Sequence, residues 1–212
     1  MPHHLLAADL IEEIATEIDC DAWREVILVG PDHFRQVRGG QIGLTDNDGA
    51  AWWQGLDLND TESESLRVYP VGVNNEHGIT AVRDILQVRC PRLPVRALVL
   101  NQSEASRTVW RRVAGKLAPT QGTLLMISSD FSHHADVATT RARDERSVAG
   151  LRAGDFNQVS NDCPACWDFL LGFLGEQPEF ALKQNRNSYD YTGVQTNVTS
   201  YVSGWFRERA QK

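Results

Sequence analysis

The chain has 212 residues, of which 42% are apolar and 23% charged, so a sizeable core is available and disorder is excluded as an overall description. Acidic residues number 28 against 21 lysines and arginines, for a net charge of −7, which argues against nucleic-acid binding driven by phosphate neutralisation. No window approaches the run of about 18 apolar residues that a bilayer span needs, and no basic stretch leads into an apolar run at the start, so a cytoplasmic protein without a membrane partner is expected.

In chain order, Leu6, Leu10, Ile14 and Ile18 recur every four residues with Ile11 and Ala15 in the same stripe, which predicts an amphipathic helix over 5–18. Val26-Ile27-Leu28-Val29 follows, wholly apolar and closed by Gly30-Pro31. Such a run reads as a strand covered on both faces, where alternation disappears. Residues 39–60 are rich in Gly, Asp and Asn and read as an insertion or a hairpin with loops, its pair Trp52-Trp53 more simply core than ligand platform. Val71-Gly72-Val73 reads as a further strand end. Helical spacing at Ile79, Val82, Ile85 and Leu86 precedes a strand over 95–100; a second helical pattern at Val109, Trp110, Val113 and Leu117 precedes a strand over 123–128. Helices are expected over 138–151 and 166–174, a polar and aromatic turn at 187–191, and a final strand over 197–206. Buried strands alternating with helices predict an α/β fold, a three-layer domain with a mostly parallel central sheet and helices on both faces. No repeat, linker or charge block divides the chain, so one domain is expected over 1–212.

The six histidines carry most of the chemical information. His3 and His4 precede the first helix; His33 lies in Gly30-Pro31-Asp32-His33; His77 follows Glu76; His133 and His134 close Ser128-Ser129-Asp130-Phe131-Ser132-His133-His134. Three of these groups fall at expected carboxyl ends of strands, the edge where open α/β sheets bind ligands. Imidazoles gathered there beside Asp32, Glu76 and Asp130 supply the donors of a catalytic metal with open positions. The spacing is long range and matches no zinc-finger or H-E-x-x-H pattern, and each histidine taken singly is more simply a helix cap or a loop hydrogen-bond partner.

Cysteines stand at 20, 90, 163 and 166, too sparse for a disulfide scaffold, and reduced thiols are expected. Cys163-Pro164-Ala165-Cys166 precedes an apolar run, which puts Cys163 at a helix N-terminus that favours thiolate, as metal ligand or as half of a redox pair; two small residues opening a helix are the plainer reading. Neither a G-x-S-x-G elbow nor a Walker loop is present.

Taken together, Pro2-His3, Gly30-Pro31-Asp32-His33, Glu76-His77, Ser128-Ser129-Asp130-Phe131-Ser132-His133, Cys163 and the segment Thr199-Ser200-Tyr201-Val202-Ser203 resemble the ordered motifs of the Memo family, whose microbial members are called AmmeMemoRadiSam system protein B. The resemblance spans essentially the whole chain and implies a fold similar to the class III extradiol dioxygenases. It implies a metal site of His3, His33 and Cys163, with Asp130, His133 and His77 as catalytic residues lining the same pocket and Asp130 holding His133. Iron or copper is the implied metal, with zinc as a third choice, and redox chemistry the implied activity. This sequence departs from the family pattern after Cys163, where Pro164 stands in place of glycine, and His4 and Cys166 are alternative ligands. Two functions follow as expectations: a metal-dependent, dioxygenase-like oxidoreductase, or a non-catalytic protein that recognises a peptide or a partner in a radical SAM system.

Overall fold

The computed structural model describes residues 1–38, 41–117, 122–175 and 178–207. A 3-10 turn at Leu5–Ala7 leads into α1 (Ala8–Thr16), and β1 (Glu25–Pro31) follows. Then come β2 (Gly43–Thr45), α2 (Asn47–Gln54), α3 (Asp60–Ser65), β3 (Leu66–Val68), α4 (Pro70–Asn75) and α5 (His77–Arg89). The second half runs β4 (Val95–Leu100), α6 (Glu104–Leu117), β5 (Thr123–Ile127), α7 (Val137–Ala153), α8 (Pro164–Leu174), β6 (Glu179–Asn187), α9 (Ser188–Thr192) and β7 (Ser200–Arg207).

Five strands form the central sheet in the order β3-β2-β4-β1-β5. β1 pairs in parallel with β4 and β5, and β2 with β3; only the β2–β4 pairing is antiparallel. The mostly parallel three-layer α/β architecture expected from the apolar runs is therefore present. Alternate residues of β1 and β4 serve opposite faces. Ile27, Val29, Leu98 and Leu100 pack with Trp110 and Val113 of α6 and Phe169 of α8, whereas Val26, Leu28, Ala97 and Val99 pack with Ile11 of α1 and Ile79, Val82 and Leu86 of α5. A strand apolar at every position is the direct result of cover on both sides.

The described part, residues 41–60, is not a looped hairpin. Gly43–Thr45 enters the sheet, where a Cβ on Gly43 would meet the Val99 carbonyl oxygen at 2.5 Å, and Asp46 caps α2 by accepting from Gly49 N. Gly39 and Gly40 lie outside the described residues. A three-residue strand is too short to show a period, which is why it escapes pattern reading. Trp53 is buried and meets Trp110 edge to face at 5.7 Å, as core packing predicts. Val71-Gly72-Val73 is helical rather than extended, opened by Pro70 at the first position of α4. The final strand is present as β7, and its partner β6, with which it forms a separate antiparallel pair, has no counterpart in the sequence reading. Asn187 closes a capping box with Asp190, so the expected turn there is the short helix α9. Among the described residues, no helix is long and apolar enough to cross a membrane.

The cysteines correct the expectation of reduced thiols. Cys20 joins Cys90 with Cα atoms 5.6 Å apart, and Cys163 joins Cys166 at 5.3 Å. The first pair forms because α1 packs against α5, bringing together residues 70 apart in sequence. Denatured, unreduced protein is accordingly expected to show no thiol to Ellman's reagent, and four after reduction; a reading of four without reductant would remove both bonds.

Candidate metal centre

The carboxyl ends of β1 and β5 lie side by side, and the segments leaving them carry the site. After β1, the Asp32 carboxylate accepts from Gln36 N and Val37 N, both at 2.9 Å. This closes a tight loop that presents His33, and it commits Asp32 to the backbone rather than to a metal. His77 opens α5 directly after α4 and not after a strand, a second consequence of Val71-Gly72-Val73 being helical. Glu76 caps α5 by accepting from Gly78 N. Its fully buried carboxylate also accepts from His33 N (3.0 Å) and contacts His33 Nδ1 at 2.6 Å.

His3 is buried against the segment after β5, its backbone N–H donating to Asp130 Oδ1 at 3.1 Å. Its ring lies 4.9 Å from that of His33 and 5.3 Å from that of His77, and the His33 and His77 rings stack at 4.2 Å. Among the described residues, two groups have donor atoms within 4.8 Å of one another: His3, His33 and His77, and His3, Asp130 and Asp162.

Asp162 is the residue that sequence reasoning missed. Its Oδ2 lies 3.2 Å from His3 Nε2, 3.3 Å from His33 Nε2 and 3.7 Å from His133 Nε2. Its Oδ1 is occupied elsewhere, accepting from Ser129 Oγ at 2.9 Å and Asp130 N at 3.1 Å. The only signal in the sequence is adjacency to Cys163, the residue implied as a ligand. Cys163 itself is fully buried and bonded to Cys166, and it is the neighbouring Asp162 carboxylate that comes within 3.3 Å of His3 Nε2 and His33 Nε2.

Other expected residues fall as follows. His133 is not held by Asp130: its Nδ1 meets Thr199 Oγ1 at 3.4 Å, while Asp130 turns to His3. His133 Nε2 is buried without a hydrogen-bond partner, since 3.7 Å to Asp162 is too long for one. His77 sits half exposed at the rim. His4 stays out of the group, exposed, its Nδ1 accepting from Leu6 N. His134 adopts a left-handed backbone (φ 56) and bonds Asn197 at 2.7 Å.

The hydrogen bonds fix the tautomers. The Ser128 hydroxyl donates to Gly78 O, so its oxygen accepts from His3 Nδ1 at 3.1 Å. Glu76 likewise accepts from His33 Nδ1. Both Nε2 atoms therefore face one carboxylate oxygen, an arrangement made favourable by a second ring proton or by a cation between them. Two ligands on one ion at about 2.1 Å and near-right or tetrahedral angles stand roughly 3.0 to 3.5 Å apart, and the His3–Asp162 and His33–Asp162 spacings of 3.2 and 3.3 Å match. His133 Nε2, without a hydrogen-bond partner among the described residues, lies 3.7 Å from the same oxygen. The His/Asp groups among the described residues could thus hold a metal ion.

Without a metal ion, ring protons supply that charge. Burial opposes the charge on His33, but Asp162 and Glu76 outweigh it and hold the imidazole up at about 10. Burial likewise opposes ionisation of Asp162, yet His133, His3 and His33 hold its carboxyl well below the usual range. His77 shifts the other way, lowered by burial and by the His33 and His3 charges.

Beneath the segment carrying His133, Asp144 accepts from Ser200 Oγ (2.6 Å) and Ser132 Oγ (3.0 Å). Burial pushes its carboxyl up to about 6, against the pull of those hydroxyls. The folded state thus holds a proton that the unfolded chain, near 3.9, releases earlier. Stability falls as pH rises from about 4 to about 6 and the loss is complete above that. An Asp144→Asn variant should gain roughly 2 to 3 kcal/mol at pH 8 and flatten this part of the curve. Urea denaturation at pH 4 and pH 8 measures it, and an unchanged pH slope in the variant contradicts the assignment.

Comparison with protein-family models finds no match, and no curated protein matches the sequence. What fold and geometry define is an α/β chain with histidine and aspartate groups able to hold a metal ion.

Proposed function

We propose that this protein is a metal-dependent, non-heme oxidoreductase that binds iron(II) through His3, His33 and Asp162, as a member of the Memo family with a dioxygenase-like reaction. One observation carries the reading: two imidazole Nε2 atoms, their tautomers set by Ser128 and Glu76, converge on a single Asp162 oxygen at 3.2 and 3.3 Å. Two histidines and one carboxylate with open positions suit non-heme iron(II), and without a thiolate the softer claims of copper and zinc weaken. Bound iron(II) supplies Lewis acidity and one-electron exchange with dioxygen. The chain's own groups do the rest. Glu76 and Ser128 keep both Nε2 lone pairs aimed inward. Asp130 fixes His3 through its backbone N–H. His133 Nε2, unpartnered and turned toward the centre, accepts a proton from a substrate hydroxyl and returns it. His77, kept neutral and half exposed, is the acceptor at the mouth.

The test is metal analysis of protein purified without chelator, followed by oxygen-uptake assays with catechols. Near-stoichiometric iron with uptake supports the reading. Iron without turnover favours the partner-binding alternative, and no metal after reconstitution with iron(II), copper or zinc ends the metal-site reading.

A further inference from the structure

The C-x-x-C pair is a reactive motif that the metal centre leaves unused, and it adjoins that centre through one peptide bond. Asp162 immediately precedes Cys163, the N-cap of α8, and the bond to Cys166 closes a ring across the first turn of that helix. Gln102, just past β4, clamps the ring: its amide nitrogen donates to Leu100 O (2.7 Å) and reaches Cys163 Sγ (3.6 Å), and its oxygen accepts from Ala165 N (2.9 Å). On the other side Asn161 accepts from Cys163 N at 2.7 Å, and Asp162 N donates to Asp130 O at 3.1 Å. The turn holding Asp162 is thus fixed at every point, and one of its anchors is a bond that a dithiol can break.

The two disulfides differ in what they can stabilise. Cys20–Cys90 closes a separation of 70 residues and Cys163–Cys166 only 3. Loop-closure entropy grows with the length enclosed, so the short ring restrains the unfolded chain least and acts chiefly on local geometry.

We propose that the Cys163–Cys166 disulfide positions Asp162 and makes metal binding redox-gated: breaking it weakens the site of His3, His33 and Asp162. The inference rests on the metal-site reading above. In the step itself, the first turn of α8 opens locally and a thiolate of an external dithiol attacks one cysteine sulfur, breaking the S–S bond and forming a mixed disulfide; the reductant's second thiol then displaces the bound cysteine. Two electrons and two protons pass to the cysteines, and the reductant leaves as a cyclic disulfide. Both cysteines are fully buried, so the two freed sulfurs must separate where no space is spare. The Cys163 peptide turns to make room and carries Asp162 Oδ2 away from the two Nε2 atoms.

The test uses the full chain in a Cys20→Ala, Cys90→Ala background, so that only this bond titrates. Protein is reduced anaerobically with dithiothreitol until two thiols are measured, desalted, and titrated with iron(II) beside its oxidised form. Iron(II) affinity should fall by about 10-fold to 100-fold on reduction, recover on reoxidation, and be equally weak in Cys163→Ala, Cys166→Ala protein, with the melting temperature nearly unchanged. Equal or tighter binding by the reduced form overturns the gating while leaving the metal site standing. Failure of the oxidised form to bind iron(II) overturns both.

Discussion

Asp162→Asn is expected to lose iron(II) affinity by more than about 100-fold while staying folded, since even changes in residues behind the ligands typically cost 10-fold to 100-fold. Asparagine keeps an oxygen for Ser129 Oγ and Asp130 N, the partners that hold Oδ1 in place. Its amide nitrogen then faces His3 Nε2 and His33 Nε2 and donates to a neutral ring, in place of the ion pair that the carboxylate forms with a protonated one. A neutral amide is a poor ligand for a divalent ion, so fold and binding should separate cleanly. Asp162→Ala should show the same loss of metal plus about 1 to 3 kcal/mol of instability from the stranded partners. Anaerobic calorimetric titration with iron(II), alongside thermal melting, measures both. Wild-type affinity in the asparagine variant would mean that Asp162 is only a hydrogen-bond acceptor.

His33→Ala against His134→Asn gives the second large contrast, between two histidines that composition treats alike. His33 aims Nε2 into the cluster and is backed by the buried Glu76 carboxylate, so its removal takes a ligand and leaves that carboxylate short of a partner. A loss of metal affinity beyond about 100-fold is expected, together with reduced stability. His134 is exposed and bonds to Asn197, and asparagine tolerates its positive φ, so His134→Asn should bind iron(II) within about twofold of wild type. Equal affinities in the two variants would make His33 a structural histidine.

How much of this was legible beforehand depended on the range of the interaction behind each feature. The strands over 26–29, 95–100 and 123–127 could be read because burial on both faces writes an unbroken apolar run, and α1, α5 and α6 because one buried stripe recurs at helical spacing. That His33 and His133 follow strands leading to one edge was visible for the same reason. The short strand β2, the helix α4 with Val71-Gly72-Val73, and β6 were not, because elements of three to six residues show no period and β6 depends on pairing with β7.

The sequence by itself determined the layered sheet and the gathering of histidines near its carboxyl edge, since hydrophobic period and strand order are properties of neighbouring residues. Only the tertiary structure decided which groups close the site. Asp162 rather than Cys163 faces His3 and His33, because the 3.0 Å hydrogen bond from Cys166 N to Cys163 O and the bond between their sulfurs turn Cys163 inward, while Ser129 and Asp130, more than 30 residues away in the chain, hold the neighbouring carboxylate toward the two rings. Likewise Cys20 finds Cys90 only once α1 lies on α5. Such choices rest on packing between distant segments, where the identity of a residue says less than the direction in which its neighbours make it point.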